Sequence, residues 1–335
     1  MIRRVKIVVP MGDPAGIGPE IVLKGLSKLE GRCLLVVGDE ELFKKTAHDC
    51  HLELPFDKII TSEEEVDAAL VNHSKVLLSK KMVNLETFKY GLVSREVGQA
   101  AYEALKIATN LTLRGSCDAL VTTPLNKESL KAAQIEHIGH TEILGELTAS
   151  ASPVTMFETL GLKIFFMTRH LSLKAACEAV TAERVYASIR ECYALSEQFG
   201  FNHNLPLAVA ALNPHGGDGG LFGDEEQVAI IPAIERSQRE GLNVVGPIGA
   251  DSVFHLAKIG HYRAVLSLYH DQGHIAAKTL DFERTVSVTW NLPFLRTSVD
   301  HGTAFDIAGE GRASEVSLLE AIKVAERYLQ EEDLK

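Results

Sequence analysis

The sequence is short of the features that mark several large classes of protein. Its 335 residues contain no apolar run of about 18 residues, the length needed to cross a membrane. Lys and Arg are not clustered, and the formal net charge is −11, which argues against a protein that wraps a nucleic-acid backbone. Aromatic residues make up only 6%, with a single tryptophan, Trp290. A small anionic substrate is not excluded, because a few local cations are enough to hold one.

The cysteines also lack the number and spacing typical of disulfide pairs or zinc ligands. The five cysteines are an odd number and none forms a C-x-x-C motif, which argues against a disulfide scaffold or a thiolate zinc site. The apolar run near the N-terminus, Val5–Pro10, is too short for a signal peptide. These observations predict a soluble cytoplasmic protein with reduced thiols and no membrane partner.

Strand-like and helix-like segments alternate along the chain. Short β-branched runs predict strands at residues 5–9, 33–38, 119–123, 154–159, 162–168, 207–213, 264–270 and 286–290. Helical periodicity between them predicts helices at 19–29, 97–113, 181–199 and from about 314 onward. The alternation indicates an α/β fold with a mostly parallel sheet, and the two runs at 154–168 suggest a hairpin. The length favours two lobes.

Three polar motifs follow the carboxyl ends of predicted strands. They lie at Gly12–Glu20, Asn213–Gly217 and His270–Lys278. In open α/β sheets, ligands bind at that edge. The glycines of the first motif fit neither the dinucleotide G-x-G-x-x-G spacing nor a P-loop, so by themselves they favour a structural strand–helix connection.

Thirteen histidines are many for this length, and six of them lie in polar loops: His140, His170, His215, His270, His274 and His301. A single histidine is more often structural than a ligand, but several beside glycine and aspartate favour a metal or acid–base site. Their spacing does not tell which three converge. Three cations, Lys127, Lys278 and Arg296, are candidates for binding a phosphate or carboxylate, against the alternative of ordinary surface charge.

Taken together, MGDPAGIGPE, PLNK, GHTE, TRH, LNPH, YHDQGH and LPFLRTSVDHGTAFDIAG resemble the 4-hydroxythreonine-4-phosphate dehydrogenase (PdxA) family, from residue 5 to about 325. The variants MGDPAGIGPE, PLNKE, LFGDEE and YHDQGH resemble most the branch that acts on D-threonate and D-erythronate 4-phosphate. The resemblance implies a two-lobed α/β/α fold like that of isocitrate and isopropylmalate dehydrogenases. We expect lobes at 1–130 plus 300–335 and at 131–299, the second carrying most metal and substrate residues, with the active site in the cleft between them.

The resemblance also implies roles for individual residues. The metal ligands would be His170, His215 and His270, drawn from both subunits of a homodimer. The remaining residues follow by role: substrate-binding His140, Thr141, Lys278, Ser287 and Arg296; catalytic Lys278 and Asp251; cofactor-binding Gly302, Thr303 and Asp306. Ser287 stands where the family usually has asparagine, and we expect the indole of Trp290 to line the pocket.

The implied activity belongs to carbohydrate metabolism. It is a metal-dependent, NAD-linked oxidative decarboxylation of D-threonate or D-erythronate 4-phosphate to dihydroxyacetone phosphate and CO₂. The cofactors would be NAD or NADP and one divalent metal, with Zn²⁺, Co²⁺, Mg²⁺ and Mn²⁺ as candidates. The first alternative is 4-hydroxythreonine-4-phosphate oxidation in pyridoxine 5′-phosphate synthesis. A metal-dependent hydrolase or lyase without NAD, and a non-catalytic binding protein, are more remote.

Overall fold

Strands and helices alternate through the computed structural model, which describes residues 4–137, 139–150 and 153–332. The predicted α/β fold is confirmed. The strands are β1 Lys6–Pro10, β2 Cys33–Gly38, β3 Lys58–Ile60, β4 Lys75–Ser79, β5 Ala119–Thr122, β6 Val154–Thr159, β7 Leu162–Phe166, β8 Leu207–Ala210, β9 Val244–Ile248, β10 Ala264–Ser267, β11 Thr285–Trp290 and β12 Leu295–Val299.

The helices have the following bounds: α1 Gly18–Lys28, α2 Glu40–Asp49, α3 Val66–Asn72, α4 Arg95–Leu113, α5 Lys127–Ala132, α6 His140–Thr148, α7 Leu173–Glu178, α8 Ala182–Gln198, α9 Ile231–Arg239, α10 Val253–Lys258, α11 His270–Leu280 and α12 Val316–Glu332. The hydroxyl of Ser94 caps α4 by accepting from the Val97 amide, and Thr181 caps α8 in the same way, as its position before the helical pattern predicts. None of the helices in the described part of the chain has both the length and the apolar character that a bilayer crossing requires.

The chain folds into two units. The first comprises the residues up to Pro153 together with Val286–Gln330, and the second is built from Val154–Thr285. The first unit therefore takes in residues 131–153 and 286–299, beyond the bounds expected from sequence. The reason for the second of these segments is strand pairing, because β12 runs parallel to β5 and β11 pairs antiparallel with β12.

The sheet of the first unit has the strand order β3-β4-β2-β1-β5-β12-β11. Neighbouring strands of this sheet pair in parallel, except that β11 pairs antiparallel with β12. β2 is buried at all six positions, as expected for a strand covered on both faces. The carboxyl ends of β1, β5 and β12 lie side by side, so the loops that follow these three strands share one edge.

In the second unit the strand order is β6-β7-β10-β8-β9. β6 and β7 form the predicted antiparallel hairpin, and the remaining neighbours are parallel. Its apolar core includes Phe157, Ile164, Val253 and Val265. The carboxyl ends of β7, β10 and β8 are adjacent, and this edge carries three of the histidine loops.

Candidate active site

The three histidines expected to bind metal follow three neighbouring parallel strands of the second unit. His170 follows β7, His270 begins α11 after β10, and His215 lies in the loop after β8. The Gln272 side-chain amide donates to the Ala211 carbonyl over 2.7 Å, which ties the first turn of α11 to the end of β8. The fold thus brings distant histidines to one sheet edge, where ligands bind in open α/β sheets.

His270 is held by contacts with two neighbouring side chains. Its Nδ1 lies 2.6 Å from Oδ1 of Asp271, which leaves Nε2 as the nitrogen available to a ligand. The ring stacks on His274 with centroids 3.6 Å apart and planes 11° apart, and the centroid of the His170 ring lies 6.4 Å away. A histidine that binds a metal usually has its other ring nitrogen hydrogen-bonded to a carboxylate or a similar group. The contact of His270 with Asp271 is of this kind, so His270 fits a divalent metal.

One chain does not assemble a complete three-donor cluster within the residues described. No three His, Cys, Asp or Glu side chains in 4–137, 139–150 and 153–332 are arranged to hold a metal ion. His170 and His270 lie near each other, whereas His215 does not complete a set with them. That all three bind one metal stays a prediction.

The loop that carries His215 has an unusual backbone. His215 has a φ of +54°, and the following residues up to Gly220 also have positive φ values, which explains the run of glycines there. A buried carboxylate, Glu226, anchors the loop, because its Oε1 accepts from the amides of Leu212 and Asn213, both at 2.8 Å. Burial alone would raise the pKa of Glu226, but these bonds hold that pKa below its ordinary value. Sequence reasoning included Glu226 only as the last residue of the LFGDEE motif and assigned it no role.

His274 was singled out as a loop histidine but lies inside α11, one turn after His270. Its Nδ1 is 2.8 Å from the His270 carbonyl, and its ring packs against Phe157 and Phe166 at 4.3 and 4.6 Å. Burial lowers the pKa of His274 to about 4, and the nearby His270 and Lys278 act in the same direction. His274 is therefore a neutral ring that supports His270.

The two residues expected to be catalytic lie on different sides of α11. Lys278 shares one face with His270 and His274, at successive i+4 positions. Asp251 is exposed and lines a cavity of about 690 Å³, together with Asp271 and residues on the opposite face of α11. Within one chain the structure places Lys278 with the histidines and Asp251 across the helix from it.

In the first unit, β11 and β12 place substrate candidates on one face of the sheet. Their antiparallel register sets Ser287 opposite Ser298 and Thr289 opposite Arg296. Arg296 is only 4% exposed, and Ser287 is half-buried. The guanidinium donates to the Thr289 hydroxyl over 2.9 Å. A buried arginine among hydroxyls is suited to a phosphate or carboxylate.

His140 and Thr141 are the first two residues of α6, and both are half-buried. Burial and the nearby Arg296 charge hold the pKa of His140 well below its usual range, although a bond to the Thr123 backbone acts the other way. The ring is therefore neutral near pH 7. Its Nε2 is buried and has no hydrogen-bond partner within the described residues. The structure thus brings His140 into the electrostatic range of Arg296.

The expectation that Trp290 lines the pocket is wrong. Its indole is 2% exposed and packs edge-on against Tyr328 of α12, with ring centroids 5.1 Å apart. Alternation along β11 puts Trp290 on the opposite face from Ser287, and Thr297 beside it in β12 also faces α12. Trp290 is a core residue of the first unit.

The residues expected to bind the cofactor lie in the loop after β12. Gly302 and Asp306 are exposed, whereas Thr303 is 7% exposed. The Thr303 carbonyl accepts from the Ile17 amide at 2.9 Å, and a Cβ on Gly16 would lie 2.8 Å from that carbonyl oxygen. The glycine-rich motif therefore serves close packing against this loop, as its spacing favoured. Thr303 supports the loop, and the exposed Gly302 and Asp306 are its accessible members.

Comparison with known proteins defines the class of this chain. The family model described as "Pyridoxal phosphate biosynthetic protein PdxA" matches residues 30–325. The chain belongs to the PdxA family, which confirms the resemblance seen in its motifs.

Individual relatives refine the comparison. The chain is 51% identical to a protein of Fusobacterium nucleatum over 97% of both chains, and 52% identical to one of Symbiobacterium thermophilum over 98% of both. Both are named "Putative D-threonate 4-phosphate dehydrogenase". The crystal structure of 4-hydroxythreonine-4-phosphate dehydrogenase from Klebsiella pneumoniae is similar with a TM-score of 0.86, 34% identity and 98% coverage of both chains.

Proposed function

We propose that this chain is a metal-dependent, NAD(P)-linked dehydrogenase that decarboxylates a phosphorylated four-carbon hydroxy acid. The substrate would be D-threonate or D-erythronate 4-phosphate. Oxidation of the hydroxyl β to the carboxylate gives a β-keto acid, which loses CO₂ and leaves dihydroxyacetone phosphate. The hydride passes to the nicotinamide.

The observation that carries this proposal is the buried Arg296 beside a neutral His140. A guanidinium held away from water binds an anionic oxygen more strongly than an exposed one, and its planar donors match a phosphate. Thr141 would add a hydroxyl at the start of α6. The names of relatives about half identical to this chain support the four-carbon acid phosphates as the substrate class.

A divalent metal held by His170, His215 and His270 would supply Lewis-acid activation of the substrate hydroxyl and stabilise the enolate formed on decarboxylation. Three imidazoles favour Zn²⁺ or Co²⁺ over Mg²⁺ or Mn²⁺. In this chain, the contact of Asp271 with Nδ1 would orient His270 and leave Nε2 as the nitrogen available to the metal. Lys278, on the same helix face, is the candidate acceptor of the hydroxyl proton. Gly302 and Asp306 would contact the dinucleotide.

A second candidate is oxidation of 4-hydroxythreonine 4-phosphate, because solved structures 34–36% identical to this chain carry that name. That substrate has an amino group where the sugar acids have a hydroxyl. Ser287, in place of the family's usual asparagine, favours the sugar acids.

The test is a turnover screen with purified protein. D-threonate, D-erythronate and 4-hydroxythreonine 4-phosphates are each offered with NAD or NADP and with Zn²⁺, Co²⁺, Mg²⁺ or Mn²⁺. We expect reduction of the nicotinamide with a sugar-acid phosphate, its loss with a chelator, and its restoration by added metal. His215→Ala should abolish turnover and stay folded, because the side chain is exposed. Product formation without nicotinamide reduction would indicate a hydrolase or lyase instead.

A further inference from the structure

The end of β5 contacts both groups proposed to hold the substrate's anionic end, the buried Arg296 and the half-buried His140. The Thr122 hydroxyl oxygen accepts from Nε of Arg296 at 3.1 Å and from Nη2 at 2.6 Å. The next residue, Thr123, holds the His140 ring through its backbone. Thr122 is fully buried, so no water competes for these bonds.

The contact constrains the arginine in a specific way. Nε and Nη2 lie on one edge of the guanidinium plane, and both bond to a single oxygen. Together with the Nη1 bond to Thr289, this fixes both the position and the rotation of the plane. Arginine loses considerable rotamer freedom when it is held, and a preorganised group has already lost that freedom before the ligand arrives.

The type of group that accepts hydrogen bonds from Arg296 also affects its ability to bind an anion. A carboxylate at the position of Thr122 would orient the guanidinium equally well but would compete with an anionic ligand for its charge. A hydroxyl accepts the two N–H groups and leaves the charge itself intact. Threonine at position 122 thus combines orientation with a preserved cation.

We infer that Thr122 is a positioning residue for anion binding, which acts by holding the Arg296 guanidinium in the orientation that receives the substrate's phosphate. The inference rests on the proposed function for the identity of the ligand. Thr122 would thus affect the affinity for the phosphorylated substrate without touching the reacting atoms.

The test compares Thr122→Val with Thr297→Val. Both changes replace one buried threonine hydroxyl by a methyl group, but the Thr297 hydroxyl donates to the Ala321 carbonyl on the other face of the sheet. Loss of hydrogen bonds to a charged group should weaken binding about tenfold to a hundredfold. We therefore expect Thr122→Val to raise KM for the sugar-acid phosphate by at least about tenfold with kcat changed by less than about threefold. Thr122→Ser should restore KM, and Thr297→Val should lower the unfolding temperature alone.

Titration with inorganic phosphate, followed by calorimetry, separates this inference from the proposed function. If no sugar-acid phosphate is turned over but phosphate binds more weakly to Thr122→Val than to Thr297→Val, the inference stands and the proposed substrate is wrong. The combined Thr122→Val and Arg296→Lys change should weaken binding less than the sum of the single changes, because both act on one interaction. Equal phosphate affinity in Thr122→Val and Thr297→Val, additive effects, or no binding by the unaltered protein would overturn the inference.

Discussion

Ser287 and Trp290 belong to the same strand, β11, but point to opposite faces of the sheet. Ser287 lies on the face that carries Arg296, whereas Trp290 packs on Tyr328 in the core of the first unit. The two side chains therefore have different surroundings. Ser287 is a candidate for contact with the ligand, whereas Trp290 is expected to contribute to stability.

Trp290→Ala should destabilise the protein without changing its substrate choice. Removing a buried tryptophan leaves a cavity and costs about 3–5 kcal/mol. Chemical denaturation should show this loss, and Trp290→Phe should recover part of it. The ratio of kcat/KM values for two substrates should stay unchanged in the folded Trp290→Phe protein. A changed ratio would contradict the assignment of Trp290 to the core.

Ser287→Asn should shift the preference toward 4-hydroxythreonine 4-phosphate. The amide reaches farther than the hydroxyl and offers both a donor and an acceptor. An unpaired buried polar group costs about 1–3 kcal/mol, so the ratio of kcat/KM values should move by roughly tenfold to a hundredfold. The unaltered protein should prefer the sugar-acid phosphates. A preference of the unaltered protein for the amino substrate would place the enzyme in vitamin-B6 synthesis.

Asp271→Asn should weaken metal binding while leaving the fold intact, because Asp271 is exposed and contacts His270 through Oδ1. Changes to residues that support a metal ligand typically cost about 10–100-fold in affinity or activity. Titration of the apo-protein with Co²⁺, followed by its absorption bands, measures the effect directly. Glu235→Gln, at an exposed carboxylate of α9 in the same unit, is the control. Equal Co²⁺ affinity in both variants would remove Asp271 from the metal site.

Mixing His170→Ala protein with His270→Ala protein should restore part of the activity if each metal site takes His170 from one subunit and His270 from the other. Each single variant lacks one ligand in every site, but a mixed dimer contains one site with a full set. Subunit exchange is confirmed with differently tagged chains before activity is measured. Absence of recovery after proven exchange would show that His170 and His270 act from the same chain.

Asp13→Asn should make the protein more stable above pH 6. Burial raises the pKa of Asp13 from 3.8 to about 6, against the lowering effect of the Ala15 amide, which donates to Oδ1 over 2.9 Å. Between pH 4 and 6 the folded state then binds more protons than the unfolded state, so stability falls as pH rises through this window. The rise in the pKa of Asp13 from 3.8 to about 6 corresponds to about 3 kcal/mol of unfolding free energy.

Denaturation curves at a series of pH values check this prediction. The unaltered protein should lose stability between pH 4 and 6 relative to Asp13→Asn, and the difference should stay constant at higher pH. Asp67→Asn, at an exposed position in α3, serves as the control. If Asp13→Asn and Asp67→Asn show the same pH dependence, Asp13 is ionised at its ordinary pKa in the folded protein.

Local sequence patterns were sufficient to predict much of the secondary structure of this protein. Periodicity and β-branched runs predicted the strand–helix alternation and the β6–β7 hairpin, because side-chain spacing along one element decides whether that element can bury a face. Linear motifs were sufficient to identify the family. The same motifs nominated His170, His215 and His270, but the roles of these residues remain predictions.

Tertiary structure decided what those residues touch. The role of Trp290 depends on Tyr328, which belongs to another element, and Glu226 and Thr122 became recognisable only through their bonds to Asn213 and Arg296. A sequence shows that side chains alternate along a strand but does not show which face meets a helix and which meets a ligand. That choice is made by packing between segments far apart in the chain, and it separates the specificity candidate Ser287 from the core residue Trp290.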